Sequence, residues 1–276
     1  MTFGREDLVR RCLASLGEAL LEGSKLRVFV VDNASGDGTP EMVAREFPSV
    51  NLTTNSDNLG FAKATNQAVR QGLAPYVLVL NPDARIGPKT LDPLLAVRPD
   101  VAAVGPSLLR EDGSADHAAR RSFPTVRGAL TYFSGLDRLV PGLRQYAVAD
   151  QSPAEVDAIN GAFMLIRREA LEAAGLFDEG YWMYMEDLDL CRQLWQDGWK
   201  VRFEPASVAW HDKGGSAGTV RSPRLNYAFH YGMHRFYRKW EAPGRPTPFN
   251  LAVYAGIYLK LAVSILRGVV TKGLMR

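Results

Sequence analysis

The chain alternates short apolar runs with segments of helical periodicity. Residues 5–23 place Leu8, Cys12 and Leu16 on one stripe, which predicts an amphipathic helix. Four later stretches read as strands, and several of them are apolar without strict period-two alternation, which is typical of strands covered on both faces. These stretches lie at residues 28–31, 50–55, 76–86 and 101–109. Between them, helices are predicted after Thr39, as a cap, to about Phe47, and within 58–69. The alternation predicts an α/β fold with a mostly parallel mixed sheet and helices on both faces.

The second half of the chain is less regular. Residues 111–155 are rich in Gly, Pro, Ser and Arg, and we interpret them as an irregular insertion or flap with a short helix. A strand and a helix follow within 157–175, and further strands are expected near 200–211. The remainder is mostly helical. The predicted organisation is therefore an α/β domain over 1–220 and a helical tail over 221–276.

Composition and charge narrow the choice of partners. The chain has 276 residues, 46% of them hydrophobic, which is enough for one substantial core. The net charge is only +3, but basic residues are concentrated after Arg221. That distribution favours an anionic surface such as phospholipid head groups. A nucleic-acid partner is not expected, because no long Lys/Arg run occurs. Two distant cysteines, Cys12 and Cys191, are typical of a reduced, cytosolic chain.

Three polar residues stand at predicted strand ends, where ligands bind in open α/β sheets. Asp32 follows the run 28–31; it could bond a ribose or base edge, or it could be a turn former. Asp83 follows Pro82 at the rim and could hold Mg²⁺ or Mn²⁺ together with substrate phosphates, or it too could be a turn residue. His211 precedes a Gly/Ser loop and could complete a metal site, although a lone histidine is more often structural.

The segment YWMYMEDLDLC, residues 181–191, packs acids among large apolar side chains. Glu186 and Asp187 suit the first turn of a helix over 186–197, with Asp189 and Arg192 on a solvated face. The alternative is catalytic, because the aromatic residues before the acids could desolvate a carboxylate and raise its pKa, as a general base requires.

Taken together, the motifs resemble family-2 glycosyltransferases of the GT-A fold, most closely the bacterial rhamnosyltransferase-like branch. The resemblance covers about residues 2–220. It rests on six segments in order: VVDNASGDGT, NLGFAKATNQAV, LNPDARI, NGAFMLIRREAL, GLFDEGYWMYMEDLDLCRQLWQDGWKV and WHDKGGSAG.

The resemblance implies a role for each matching residue. Asp187 matches the general base, with Glu186 as its partner. Asp83 matches the last position of an Asp-x-Asp metal motif whose first position is Asn81 here, and His211 matches a histidine that can complete this site for Mg²⁺ or Mn²⁺. The residues implied for nucleotide and donor binding are Phe3, Asp32, Asn58, Gly60, Phe61, Asn66, Asn81, Gly161 and Ala162.

One segment departs from the family pattern. Family members begin with an apolar strand that leads into a turn holding the base, whereas this sequence begins at that turn, with Phe3 and Gly4 in it. We therefore expect the first strand of the sheet to be missing, which leaves its two neighbours without a partner.

The resemblance implies an inverting sugar transferase. The first-choice donor is dTDP-L-rhamnose, with a UDP-hexose as the alternative, and the acceptor is a cell-envelope glycan or a polyprenyl-diphosphate-linked sugar. Two rivals stay open: a nucleotide-sugar-binding protein with weak catalysis, and a nucleotidyltransferase, which would normally show a Gly-rich basic phosphate loop.

The apolar segment 251–270 predicts a helix lying on the inner face of the cell membrane rather than a span, because Lys260 and Arg267 interrupt it. A core helix or a homodimer contact is the alternative. The expected location is cytoplasmic and peripheral to the membrane.

Overall fold

The computed structural model describes residues 1–18, 26–126, 128, 152–212 and 222–274. Its strands are β1 (Phe29–Asp32), β2 (Asn51–Thr54), β3 (Tyr76–Leu80), β4 (Ala84–Ile86), β5 (Val101–Leu109), β6 (Arg120–Arg121), β7 (Ala154–Glu155), β8 (Ala158–Ile159), β9 (Phe163–Arg167) and β10 (Lys200–His211). Its α-helices are α1 (Glu6–Glu18), α2 (Thr39–Glu46), α3 (Phe61–Gln71), α4 (Leu91–Leu95), α5 (Arg168–Ala173), α6 (Glu186–Gln196), α7 (Pro223–Phe236) and α8 (Thr247–Leu274).

The main sheet has the strand order β3-β9-β5-β10-β4, with β7 paired to β10. The expected α/β fold with a mixed sheet is confirmed, but the expectation that its pairings are mostly parallel is wrong. Parallel pairing joins β5 to β10 and β1 to β2. The strand β9 runs antiparallel to both of its neighbours, β3 and β5. An apolar run indicates only that a strand is buried on both faces. It does not indicate strand direction, and in this sheet antiparallel strands are also buried on both faces.

Two apolar cores cover the two faces of the main sheet, and β9 shows this most clearly. Met164 and Ile166 face one core, and Phe163 and Leu165 face the other, as alternation along a strand requires. The first core contains residues of α3, α5 and α6, and the second contains residues of α1, α2 and α4. Helices on both faces are therefore confirmed.

The strands β1 and β2 form a separate two-stranded sheet. Thr2 pairs with Asp32 in a single parallel bridge beside it. A cavity of about 420 Å³ lies between β1 and β3, and it is lined mainly by apolar side chains that include Val30, Leu78 and Leu165. In the part of the chain that is described, no strand fills the space between these two edges.

Two local expectations need correction. Thr39 does not cap α2 but is its first residue, because Asp37 precedes it and its carboxylate accepts hydrogen bonds from the Thr39 amide and hydroxyl. The start of the expected flap is regular: Asp116 and Leu108 hydrogen-bond across a hairpin, and β6 pairs with β8. Nonlocal pairing therefore overrides the irregular composition here. The predicted helix end near residue 23, most of the flap after 126 and the Gly/Ser loop after 212 lie outside the described residues.

The tail is helical, as predicted. Ser222 caps α7 by accepting a hydrogen bond from the Leu225 amide, and a π-helical turn, Tyr237–Glu241, follows α7. Phe236 is buried in the core beside α6, so α7 packs on the α/β body. The helix α8 folds back on α7, where the Asn226 amide donates to the Ser264 hydroxyl at 2.9 Å.

Candidate active site

The nucleotide-side candidates begin at the end of β1. Asp32 is buried, and its carboxylate accepts hydrogen bonds from the Ser35 amide at 3.1 Å and from the Ser35 hydroxyl. Gly4 donates its amide to the Ser35 hydroxyl at 2.8 Å. Phe3, beside them, is 51% exposed, so its ring is accessible at this rim. The structure thus brings Phe3 and Asp32 to the same edge.

Asn33 ties this edge to the loop before α3, although the sequence did not single it out. Its side-chain amide donates to the Asn58 side-chain oxygen and to the Gly60 carbonyl, each at 3.1 Å. Its own oxygen accepts from the Asn55 amide and the Leu59 backbone amide. Asn33 is fully buried, so this network fixes the 58–60 loop against the end of β1.

Position 60 requires glycine, because the backbone of Trp182 lies very close to it. The φ of Gly60 is +87°, and a Cβ there would lie 2.3 Å from the Trp182 carbonyl oxygen. The Phe61 amide donates to that same carbonyl at 2.7 Å, and the Trp182 indole donates to the Asn58 carbonyl at 3.1 Å. Trp182 therefore clamps the loop before α3 directly against the segment that precedes α6.

Two further donor-side candidates are placed differently. Asn81 is close to the 161–162 segment, since its backbone amide donates to the Ala162 carbonyl at 2.9 Å. Asn66 is directed elsewhere: its side chain bonds the backbone amide and carbonyl of Phe177. Asn66 also lines a separate cavity of about 350 Å³ beside Asp189. The Asn66 side chain thus contacts the loop before α6. Within the described residues it makes no hydrogen bond to Asn58 or Gly60.

Asp187 lies at the start of α6, and hydrogen bonds hold both of its carboxylate oxygens. One carboxylate oxygen accepts from the Gly161 amide at 2.8 Å and from the Arg121 guanidinium, while the other accepts from the Leu188 amide at 2.8 Å. A Cβ on Gly161 would meet the Asp187 side chain at 3.2 Å, so glycine allows this approach. Arg121 comes from the expected flap, and no local pattern marked it as a partner of Asp187.

Glu186, which directly precedes Asp187, is buried at the start of α6. Burial and then the neighbouring Asp187 raise the pKa of Glu186 to about 8. Its Oε2 atom is buried and has no hydrogen-bond partner among the described residues. Tyr184 and Met185, directly before it, both have positive φ values of 69° and 74°. This backbone is costly for bulky residues, and such strain is often stored at functional sites.

Asp189 does not lie on a solvated face, contrary to the simplest interpretation of α6. It is buried and accepts hydrogen bonds from the Tyr181 hydroxyl at 3.1 Å, the Lys239 ammonium at 2.7 Å and the Trp240 indole at 2.6 Å. Two of these donors belong to the π-helical turn, which no helical pattern could have matched to α6. Asp189 therefore anchors the tail to the body.

The metal candidates meet at the end of β10. His211 pairs with Ala84 of β4, so its Nε2 lies 3.4 Å from the Asp83 carboxylate, while its Nδ1 lies 3.4 Å from the Asp116 carboxylate. Burial lowers the pKa of His211, but the hydrogen bonds to Asp116 and Asp83 outweigh burial and raise it to about 9. Asp116 was missed because its hairpin reads as irregular sequence.

A divalent cation fits part of this arrangement. Within the described ranges, no group of three or more His, Cys, Asp and Glu side chains is arranged to hold a metal ion. Asp83 and His211 offer a buried carboxylate oxygen and an imidazole nitrogen that face each other. This donor set suits Mn²⁺, and the carboxylate suits Mg²⁺, when substrate phosphates and water supply the other ligands.

Apart from Asn66, the candidates are connected by a series of contacts along the sheet edge. Trp182 joins the nucleotide-side loop to the segment before α6, and Gly161 joins Asp187 to the segment after β8. Ala162 then joins that segment to Asn81, which lies beside Asp83 and His211. Such an edge can hold a diphosphate, a metal and a base within reach of one another.

The sequence comparisons agree with this geometry. The model for "Glycosyl transferase family 2" matches residues 1–175. This chain belongs to glycosyl transferase family 2. It is a rhamnosyltransferase-like glycosyltransferase of the GT-A fold, as the sequence predicted.

Curated relatives include rhamnosyltransferases. The chain is 32% identical to the N-acetylglucosaminyl-diphospho-decaprenol L-rhamnosyltransferase of Mycobacterium tuberculosis (strain ATCC 25618 / H37Rv), covering 90% of this chain and 87% of that protein. It is 27% identical to a rhamnosyltransferase of Escherichia coli (strain K12), covering 76% of this chain and 81% of that protein.

Two solved structures with the same fold contain Mn²⁺, one with a nucleotide sugar and one with a nucleotide and a sugar. The mannosyltransferase PcManGT from Pyrobaculum calidifontis, in complex with GDP-Man and Mn²⁺, has a TM-score of 0.59 at 21% identity and covers 98% of this chain and 73% of its own. GalNAc-T7 with UDP, GalNAc and Mn²⁺ has a TM-score of 0.61 at 17% identity over 86% of this chain and 46% of its own. At these identities the likeness shows the fold alone.

Proposed function

We propose that this glycosyltransferase transfers a sugar with inversion from a nucleotide donor to a hydroxyl of a lipid-linked or cell-envelope glycan. The first-choice donor is dTDP-L-rhamnose. The observation that carries the proposal is the placement of Asp187: a buried carboxylate is held by the Gly161 amide and Arg121 on the same edge as Asp83 and His211. The names of the rhamnosyltransferase relatives support the choice of sugar.

Asp187 acts as the general base. An ionised carboxylate offers several lone pairs, so Asp187 can accept a proton from the acceptor hydroxyl beside the bonds that position it. The hydroxyl oxygen then attacks the anomeric carbon, and the bond from that carbon to the donor diphosphate breaks. One displacement inverts the anomeric centre, and no nucleophile from the enzyme is needed. Glu186, whose pKa is about 8, is largely protonated at neutral pH and limits the local negative charge.

Asp83 and His211 would hold Mg²⁺ or Mn²⁺. When bound, such a cation neutralises charge on the departing diphosphate. Asp83 contributes a carboxylate oxygen, and His211 contributes the ring nitrogen that faces it. The Mn²⁺ bound in two solved structures of the same fold supports the assignment.

The nucleotide lies along the edge made by β1 and the loop before α3. Phe3 offers an exposed ring for stacking on the base, and Asp32 offers a carboxylate at the strand end. Hydrogen bonds from Asn33 and Trp182 hold the 58–60 loop in place, so its backbone is positioned to meet a ribose or diphosphate. The Gly161 and Ala162 backbone then borders the donor sugar next to Asp187.

The acceptor is a polyprenyl-diphosphate-linked sugar, presented at the membrane surface.

Helix α8 has an exposed apolar face that could contact this membrane. Ile257 and Leu261 of α8 pack inward, whereas Leu251, Leu259 and Leu266 are 61%, 68% and 64% exposed. Residues Thr247–Arg267 are long and apolar enough to cross a membrane, judged by length and composition within the described residues. Because α8 is tied to α7 and includes Lys260 and Arg267, we favour a helix in the interface of an anionic membrane on its cytoplasmic side. Pairing of two α8 helices in a homodimer is the alternative use of this face.

A donor panel tests the proposal. The full chain is incubated with Mn²⁺ and an N-acetylglucosaminyl-diphospho-polyprenol mimic, and with dTDP-L-rhamnose, UDP-glucose, UDP-GlcNAc or GDP-mannose in parallel. We expect transfer from dTDP-L-rhamnose, with proton NMR showing the anomeric configuration opposite to that of the donor. A preference for a UDP-hexose would change the assigned donor from dTDP-L-rhamnose to that sugar nucleotide. A product with the same anomeric configuration as the donor would refute inversion. Nucleotide-sugar binding without transfer would favour a protein with weak catalysis, and nucleotidyl transfer would favour the other rival.

A further inference from the structure

Asp116 contacts the edge of the His211 ring that is turned away from Asp83. The side chain of Asp116 is fully buried, and its Oδ2 atom lies 3.4 Å from His211 Nδ1. The opposite ring nitrogen, Nε2, lies 3.4 Å from Asp83 Oδ1. The two nitrogens of an imidazole point in diverging directions, so the two carboxylates contact opposite edges of one ring.

The fold fixes Asp116 in this position. The chain turns back after β5 in a hairpin, where the Asp116 amide donates to the Leu108 carbonyl at 2.7 Å. Leu108 pairs with Ala209 of β10, two residues before His211. Because β4 lies on the other side of β10 and Asp83 directly precedes it, His211 lies between Asp83 on the β4 side and Asp116 of the hairpin on the β5 side.

We propose that Asp116 is a positioning residue that sets the tautomer of His211 for metal binding. An ionised carboxylate only accepts hydrogen bonds, so Asp116 holds the proton of the neutral ring on Nδ1. The lone pair is then on Nε2, which faces Asp83. Partners of this kind orient histidine ligands in metal sites, and their loss commonly weakens metal affinity 10- to 100-fold. The inference rests on the proposed metal site.

The variant Asp116→Asn tests the proposal directly, because a second hydrogen bond to the side chain fixes which way the Asn amide group is turned. Asp116 Oδ1 accepts from the Ala118 amide at 2.9 Å. In the variant, the Asn oxygen must keep that bond, so its NH₂ group faces His211 Nδ1. This NH₂ group can donate a hydrogen bond only to a ring nitrogen that has a lone pair. The proton of the neutral His211 ring therefore moves from Nδ1 to Nε2. The matched control is Asp112→Asn: Asp112 makes the same turn bond, to the Ser114 amide at 2.9 Å, in the same hairpin.

Two measurements on the full chain decide the proposal. Binding of Mn²⁺, alone and with UDP or dTDP, is followed by the electron paramagnetic resonance of free Mn²⁺. We expect affinity to fall by about 10- to 100-fold in Asp116→Asn and to stay within twofold in Asp112→Asn. Long-range proton–nitrogen NMR of histidine-labelled protein, recorded at about pH 10 so that the His211 ring, with its pKa of about 9, is neutral, should show the proton on Nδ1 in the wild type. The His211 signals are assigned with His211→Ala.

The outcomes separate this inference from the metal site itself. If His211→Ala weakens Mn²⁺ binding but Asp116→Asn does not, Asp116 has no positioning role and the metal site stands. If neither variant changes Mn²⁺ binding, both ideas are wrong. Should Asp116→Asn fail to fold, the wild-type spectrum still decides, since a ring protonated on Nε2 alone would overturn the inference.

Discussion

Asp187 and Arg121 form a buried ion pair although 66 residues separate them. Their side chains are 9% and 16% exposed, and the Gly161 amide shares the same carboxylate oxygen. The pair joins the start of α6 to β6, so it fixes both the charge and the orientation of the proposed base.

Removing the Arg121 guanidinium should destabilise the fold, because its partner Asp187 stays buried. Arg121→Met leaves the Asp187 carboxylate buried without this cation, and we expect the free energy of unfolding to fall by about 3–5 kcal/mol. The measurement is a urea titration of a double-mutant cycle. Arg121→Met with Asp187→Asn should lose less than the sum of the two single variants. Arg45→Met, at an exposed ion pair with Glu46, is the control and should change stability little. Additive losses would show that the two side chains are not coupled.

Asp187→Asn should abolish transfer while leaving nucleotide binding within a few-fold. A general base contributes about 10²–10⁴-fold to a rate, and the amide cannot accept the hydroxyl proton. Initial rates with the preferred donor, and binding of UDP or dTDP by calorimetry, measure the two effects. Asp197→Asn, at the other end of α6, is the control. A variant that kept more than about a tenth of the wild-type rate would move the base elsewhere.

Glu186 should make stability fall as pH rises. Its folded pKa is about 8, above its ordinary value of 4.5, so between these values the folded chain holds a proton that the unfolded chain has lost. Stability therefore decreases from about pH 4.5 to pH 8, by at most about 1.4 kcal/mol per pH unit.

The test is a comparison of unfolding free energies from pH 5 to pH 8. Glu186→Gln is neutral in both states, so it should lack this part of the slope. Glu169→Gln, in the first turn of α5 and exposed, is the matched control and should keep it. Parallel curves for the wild type and Glu186→Gln would contradict a raised pKa.

Activity should require Mg²⁺ or Mn²⁺. We expect excess EDTA to remove transfer and added Mn²⁺ to restore it. Asp83→Ala should weaken the Mn²⁺-dependent part of UDP or dTDP binding, because it removes the carboxylate that faces His211. Asp112→Ala, exposed in the nearby hairpin, serves as the control. Full activity in EDTA would exclude the proposed metal dependence.

The exposed face of α8 should bind anionic membranes. Leu259→Ser with Leu266→Ser removes two exposed apolar side chains, and we expect cosedimentation with liposomes containing phosphatidylglycerol to fall several-fold. Transfer to a soluble acceptor mimic should be retained. Leu73→Ser, at a leucine that is 87% exposed after α3, is the control. Unchanged liposome binding would defeat the anchor, and a shift from dimer to monomer would favour the homodimer contact.

The sequence by itself determined the elements and the acids at their ends. Apolar runs placed β1, β3 and β5, and the acids Asp32 and Asp83 follow two of these runs. The motif around Glu186 and Asp187 marked the start of α6. These features depend on neighbours within a few residues, so local pattern and motif order were sufficient to predict them.

Only the tertiary structure decided which side chains meet. Arg121 reaches Asp187, Asp116 reaches His211, and Lys239 reaches Asp189, each through pairing between distant elements. Strand direction was decided in the same way, because β9 enters between β3 and β5 only when the chain folds back. Contacts between residues far apart in sequence are selected by packing and burial of the whole chain, and no local periodicity records them.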